Sequence, residues 1–181
     1  MAKHILAALV ENRPGVLARV SNLFRRRSFN IDSLSVGRTQ RENLSRMTIV
    51  MESDTAEADR LVKNLYKLVD VVHVDHLHSQ PSVARDMALV KVKASSENRR
   101  EVIQLCDIFR ARIIDVAAES LVVEITGEEE KLGHFTELVR PFGIVEMVRT
   151  GVIAMGRGSH TLKDEGYKPN RGRSSSRRSV L

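Results

Sequence analysis

The residues best suited to hold a small molecule lie near the start of the chain, in Glu11-Asn12-Arg13-Pro14-Gly15-Val16-Leu17. An apolar run precedes them and a helical pattern follows, so they form a strand-to-helix junction. The N–H groups that open a helix have no partner inside it and carry the positive end of its dipole, which suits a carboxylate or a phosphate. Gly15 has no side chain to keep a ligand away from those groups. Asn12 offers a donor and an acceptor, and Asn30, at the head of the next extended segment, offers the same pair. Donors for a carboxylate, acceptors for an ammonium and an apolar slot beside them suit a zwitterionic amino acid. The same residues also make an ordinary capped turn, because Asn, Pro and Gly are common turn formers.

Other reactive side chains point to less. In His73-Val74-Asp75-His76-Leu77-His78, a strand would put His76 and His78 on one face and His73 on the other. Two histidines at that spacing can chelate, and Asp75 is near. No cysteine or second ligand pair accompanies them, so solvated strand-end histidines are expected rather than a metal site. Cys106, beside Leu105 and Phe109, reads as a buried, inert thiol. As the single cysteine it excludes an internal disulfide. Arg25-Arg26-Arg27 complements the dipole at the end of the first helix. Gly156-Arg157-Gly158 is too short for a nucleotide fingerprint. There is no Walker A loop, serine nucleophile elbow or HExxH motif, and no set of nucleophile, base and orienting group. The chain therefore reads as non-catalytic.

Positioning the Asn12–Leu17 turn takes a strand over 3–11 and a helix from Val16. Val16, Leu17, Val20, Leu23 and Phe24 carry the spacing of one buried helical face. Pro14 is placed in the opening turn of that helix, which ends near Arg27-Ser28. Residues 29–37 are predicted as a strand and 38–44 as a turn. Met47, Ile49 and Met51 alternate as a half-buried strand. Ser53-Asp54-Thr55 caps a helix with Ala58, Leu61, Val62, Leu65 and Leu68 inward, and 69–77 closes the unit as a strand. This is a β-α-β-β-α-β, ferredoxin-like order.

The second half repeats it. Strands are predicted over 87–94, 112–117, 120–126 and 143–155, with helices around Val102–Phe109 and over 128–140. The fold class is α+β: two ferredoxin-like units in tandem, at 1–80 and 81–158, followed by a disordered basic tail at 159–181. Gln80-Pro81-Ser82 links the units. Each unit leaves one sheet face and its strand edges uncovered, so pairing within or between chains is expected.

Composition agrees with a folded body. The 181 residues are 42% apolar and 29% charged, with a net charge of +6. Residues 160–181 carry six Lys/Arg against two Asp/Glu, so the basic excess lies mostly in the tail. Trp is absent and aromatics are 4%, which argues against an RNA-stacking sheet. No apolar stretch approaches a membrane span and no signal peptide is visible, so the cytoplasm is expected.

The stretch Glu11-Asn-Arg-Pro-Gly-Val-Leu-Ala-Arg-Val-Ser-Asn-Leu-Phe24, with Arg27-Ser-Phe-Asn-Ile-Asp-Ser-Leu-Ser-Val36, resembles the ACT domain of the acetolactate synthase (acetohydroxyacid synthase) small subunit. Leu44–Val50, Lys67–Val71, Phe109–Val116 and Gly143–Gly151 extend the resemblance over about 1–158. It implies a regulatory subunit with an ACT domain followed by an ACT-like one. Such a subunit stimulates a separate enzyme that makes acetolactate or acetohydroxybutyrate from pyruvate. It also confers feedback inhibition, typically by valine, in branched-chain amino acid biosynthesis. Thiamine diphosphate, Mg and FAD are implied for that catalytic subunit and no cofactor for this chain, which lacks a Gly-Asp-Gly thiamine signature. Carried over by position, the effector site would use Asn12, Gly15, Val16 and Leu17 of one chain. Asn30, Ile31 and Val36 would come from the facing chain of an ACT dimer. The extension after Gly158 lies outside the resemblance. The alternative, a nucleic-acid-binding ferredoxin-like module, needs stacking aromatics on its central strands, and Leu44–Met51 has none.

Overall fold

A computed structural model describes residues 2–77 and 80–163. In β1 (Ala2–Glu11), alternate residues Leu6, Ala8 and Val10 face the same side as Met47, Ile49 and Met51 of β3 (Leu44–Ser53). That side is sealed by Val16, Val20 and Phe24 of α1 (Val16–Arg26) and by Leu61 and Leu65 of α2 (Thr55–Leu65). The spacing by four in each helix makes one apolar stripe, which is what a half-buried helix presents to a sheet. Asp54 caps α2 by accepting the Glu57 N–H at 2.7 Å. With β2 (Ser33–Arg38) and β4 (Val71–His76), the first unit is an antiparallel sheet in the order β2-β3-β1-β4.

The second unit repeats the β-α-β-β-α-β order. Its elements are β5 (Ser82–Lys93), α3 (Arg99–Phe109), β6 (Arg112–Val116), β7 (Ser120–Gly127), α4 (Glu129–Val139) and β8 (Ile144–Arg149). The sheet runs β6-β7-β5-β8, and its core gathers Val90, Val92, Val102, Cys106, Val123, Ile125 and Phe135.

Four expected element bounds are corrected. Residues 29–32 are not strand: Phe29 and Ile31 turn into the core, and pairing opens only where the Asp32 N–H meets the Val50 carbonyl at 2.9 Å. Pro14 lies before α1, which starts after Gly15. Ser82 belongs to β5 rather than to a linker. Residues 143–155 are not one strand, because β8 stops at Arg149 and a further strand, β9 (Ile153–Gly156), follows. Gly151, at φ +81°, makes the turn between them.

β9 pairs with the first residues of β5, Ser82 opposite Gly156. Val152 and Ala154 are thereby pressed onto Ala7, Val50 and Leu77, on the face of the first sheet that carries no helix. That face is therefore covered in part by the chain itself. His160 reaches Asp75 at 2.8 Å and Leu162 packs on the cluster formed with Val152 and Ala154, so the start of the expected tail is anchored on the body at these two residues. Residues 164–181 of the expected tail lie outside the described residues.

The two edges of the first sheet differ. The Tyr66 hydroxyl lies 3.0 Å from both the N–H and the carbonyl of Val74, filling the outer hydrogen-bonding positions at the middle of β4. Among the described residues β2 has β3 as its one strand neighbour, and its Val36 is 44% exposed. Among the described residues, no helix is long and apolar enough to cross a membrane.

Candidate functional site

The turn that ends β1 is built by backbone bonds to the β2–β3 connection. The Asn12 N–H donates to the Asn43 carbonyl at 2.8 Å and Asn12 Nδ2 to the Glu42 carbonyl at 3.0 Å. Gly15 then takes φ +86° and caps α1, a conformation that costs a side-chain-bearing residue about 1–2 kcal/mol. Its carbonyl accepts the Arg19 N–H at 3.0 Å, while the Val16 N–H reaches back to the Arg13 carbonyl at 3.5 Å. No acidic side chain occupies the first turn of α1. The Val16 side chain is buried in the core, so Val16 presents only its backbone. Leu17 is 44% exposed and supplies an apolar surface beside the helix start. Asn12, Gly15, Val16 and Leu17 are therefore together in space, as their spacing predicts.

Asn30, Ile31 and Val36 are not with them. Glu11 of β1 stands opposite Leu44 of β3, whereas Ser33 of β2 stands opposite Val50. The six-residue offset along β3 sets the start of β2 about 20 Å along the strands from the end of β1, at roughly 3.3 Å per residue, and Asn30 precedes that start. Asn30 Nδ2 donates to Asp32 Oδ1 at 2.8 Å, and Ile31 packs against the core. Val36 stands opposite Met47 at the open edge, pointing to the helix side. Within one chain the seven candidate residues form two separate groups.

Asp70, and the roles of Arg13 and Arg19 that it organises, escape the sequence reading. Asp70, 1% exposed just before β4, accepts hydrogen bonds from Arg13 Nε at 2.7 Å and from Arg19 Nε. Its carbonyl takes the Glu11 N–H at 2.9 Å. Burial pushes the Asp70 carboxyl up, but the hydrogen bonds and charges of Arg13 and Arg19 outweigh it and hold it below the usual carboxylate range. Arg13 and Arg19 bracket Gly15 in the sequence. Asp70 joins them only through the β1–β4 pairing, which short-range spacing does not reveal.

Of the expected strand-end histidines, His73 and His76 are part-buried and internally bonded. His4 Nδ1 lies 2.9 Å from His76 Nε2, because β1 and β4 are neighbours, and His4 is 1% exposed. His73 and His160 flank Asp75, at 3.0 and 2.8 Å. His78 lies outside the described residues. No group of three or more His, Cys, Asp or Glu is arranged to hold a metal ion among the described residues. Cys106 is buried, and that burial, with the Asp107 charge, pushes its thiol up to about 11.

Comparison with known proteins places this geometry. A family model described as "AHAS small subunit-like ACT domain" matches residues 6–73, and one described as "Small subunit of acetolactate synthase" matches 85–158. A probable acetolactate synthase small subunit of Archaeoglobus fulgidus is 50% identical over 157 residues, 87% of this chain and 98% of that protein. The acetolactate synthase small subunit of Mycolicibacterium smegmatis is 44% identical over 86% of this chain and 91% of its own length. The crystal structure of the Thermotoga maritima small subunit superposes with a TM-score of 0.82 at 40% identity, covering 88% of this chain and all of that one. The two β-α-β-β-α-β units, the ACT turn at Gly15 and these relatives agree: the chain belongs to the acetolactate synthase small-subunit family.

Proposed function

We propose that this chain binds valine or a related branched-chain amino acid between two copies of its ACT unit. We further propose that it thereby sets the activity of the acetolactate synthase catalytic subunit. The observation that carries the reading is the contrast between the two edges of the first sheet. Tyr66 fills the edge of β4, while β2 lies open. Antiparallel pairing of β2 with β2 of a second copy reverses one sheet against the other. The Asn30–Ile31 end of one chain then approaches the Asn12–Leu17 end of its partner, and α1 runs antiparallel to its counterpart. The backbone at Val16 and Leu17 receives the carboxylate, Asn12 and the partner's Asn30 flank the ammonium, and Leu17 with the partner's Ile31 and Val36 encloses the side chain.

The chain supplies no catalytic group in this reading. Thiamine diphosphate, Mg and FAD belong to the catalytic subunit, which joins two pyruvates, and both subunits work in the cytoplasm. Reconstituting the catalytic subunit with and without this chain, and following acetolactate formation against valine, tests the reading. The chain is expected to raise turnover and to make it valine-sensitive. Turnover that is unchanged by the chain, or stimulation that valine leaves intact, contradicts it.

A further inference from the structure

We propose that Arg19 is a ligand for the carboxylate of the bound amino acid, and that Asp70 is the positioning residue that aims it. The inference rests on the amino-acid site just described and deepens it. Arg19 follows Gly15 by one helical turn, and helical side chains lean toward the N-terminus. Its guanidinium accordingly lies over the turn: Nη1 and Nη2 are 3.5 and 3.9 Å from where a Cβ on Gly15 would stand. Asp70 Oδ2 engages Arg19 through Nε alone. Among the described residues the two Nη groups have no hydrogen-bond partner, and a guanidinium presents its remaining N–H donors as a planar fork suited to a carboxylate.

The two arginines around Asp70 are not equivalent. Arg13 also meets Glu11 Oε2 at 2.6 Å, so two carboxylates share it. Among the described residues Arg19 has Asp70 as its one acidic partner, and Asp70 is 1% exposed and therefore fixed in place. A free α-carboxylate resting on the Val16 and Leu17 backbone lies within the reach of the Arg19 fork. An amide in the same place has no charge to offer. The pair thus selects free amino acids over their amides or peptide-bound forms.

Calorimetric titration of the full chain with L-valine and with L-valinamide tests this. Wild type is expected to prefer valine by roughly ten- to a hundredfold, the range of a charge-assisted hydrogen bond. In Arg19→Gln the preference should collapse, because valine binding weakens while valinamide binding stays within about twofold. Arg19→Lys, which keeps the charge without the fork, should fall between them. Asp70→Asn should lose part of the preference, because the guanidinium is no longer held. Equal weakening of both ligands in Arg19→Gln and Arg19→Lys would mean a structural role and overturns the assignment. Valine binding with undiminished discrimination in Arg19→Gln also overturns it, while leaving the site itself standing. If wild type binds neither ligand, the site reading falls and the assignment with it.

Discussion

Ser33 Oγ accepts the Val152 N–H at 2.9 Å, tying β2 of the first unit to the segment that enters β9. The joint is closely fitted, since a Cβ on Gly151 would stand 2.7 Å from Ser33 Oγ. Behind it, buried Asp86 holds Arg149 through Nε at 2.7 Å and Thr150 through Oγ1 at 3.1 Å. Ser33 is three residues beyond Asn30, so a ligand at Asn30 adjoins the contact between the two units. Gly151→Ala puts a side chain at φ +81° and against Ser33. It should cost at least about 1–2 kcal/mol, or roughly 2–8 °C in Tm for a chain of this size. Valine affinity should stay within about threefold, while valine inhibition of the reconstituted enzyme weakens more. Calorimetry beside the inhibition curve separates the two effects. Parallel changes in both would show that the joint does not couple the units.

The Asp70 carboxyl is held below its ordinary range by Arg13 and Arg19. Its folded value is lower than the unfolded one of about 3.9, so its contribution to stability is complete above that value. The contribution is lost as the pH falls through the lower, folded value. Asp70→Asn should therefore reduce neutral-pH stability by about 1–3 kcal/mol and flatten the acid limb of the stability curve. Urea unfolding of both proteins between about pH 2 and 6 checks this. Acid limbs of equal steepness would assign the acid sensitivity elsewhere.

What the sequence shows and what it hides divide by range. Local periodicity locates the helices, because α1 and α2 each carry an apolar stripe that no strand pattern imitates. The Asn12–Leu17 turn is legible for the same reason, as a break between two periodic runs. β9 is not legible, because Val152 and Ala154 are buried by Ala7 and Val50, more than 100 residues earlier. The stretch 29–32 reads as strand because Phe29 and Ile31 are apolar and alternate. Both are instead inserted into the core from a loop. Asp70 is hidden most completely. A lone aspartate before a strand has no local signature of the two arginines that fix it.

The anchoring of His160 and Leu162 changes the expectation for the end of the chain. Truncation after Gly158 removes His160 from Asp75 and Leu162 from the cluster on the first sheet. It should lower Tm by a few degrees, consistent with a loss of about 0.5–1.5 kcal/mol. Truncation after Lys163 keeps both contacts and should leave Tm, stimulation and valine response unchanged. Thermal melts of the two shortened chains, with the reconstituted assay, distinguish them. A loss of stimulation in the longer truncate would give residues 164–181 a function.

The central claim is that the effector site is shared between two chains, and complementation tests it most directly. Gly15→Asp sets a carboxylate against the Arg19 guanidinium, where the ligand's own carboxylate belongs, and Asp is among the residues that tolerate a left-handed backbone. Asn30→Ala damages the other half. Each variant dimer should bind valine weakly or not at all. A purified heterodimer of the two variants keeps an intact Gly15 turn on one chain facing an intact Asn30 on the other. It should regain near-wild-type affinity at half the wild-type stoichiometry when titrated calorimetrically. No recovery in a folded heterodimer, or full valine binding by either variant alone, would contradict a site built from both chains.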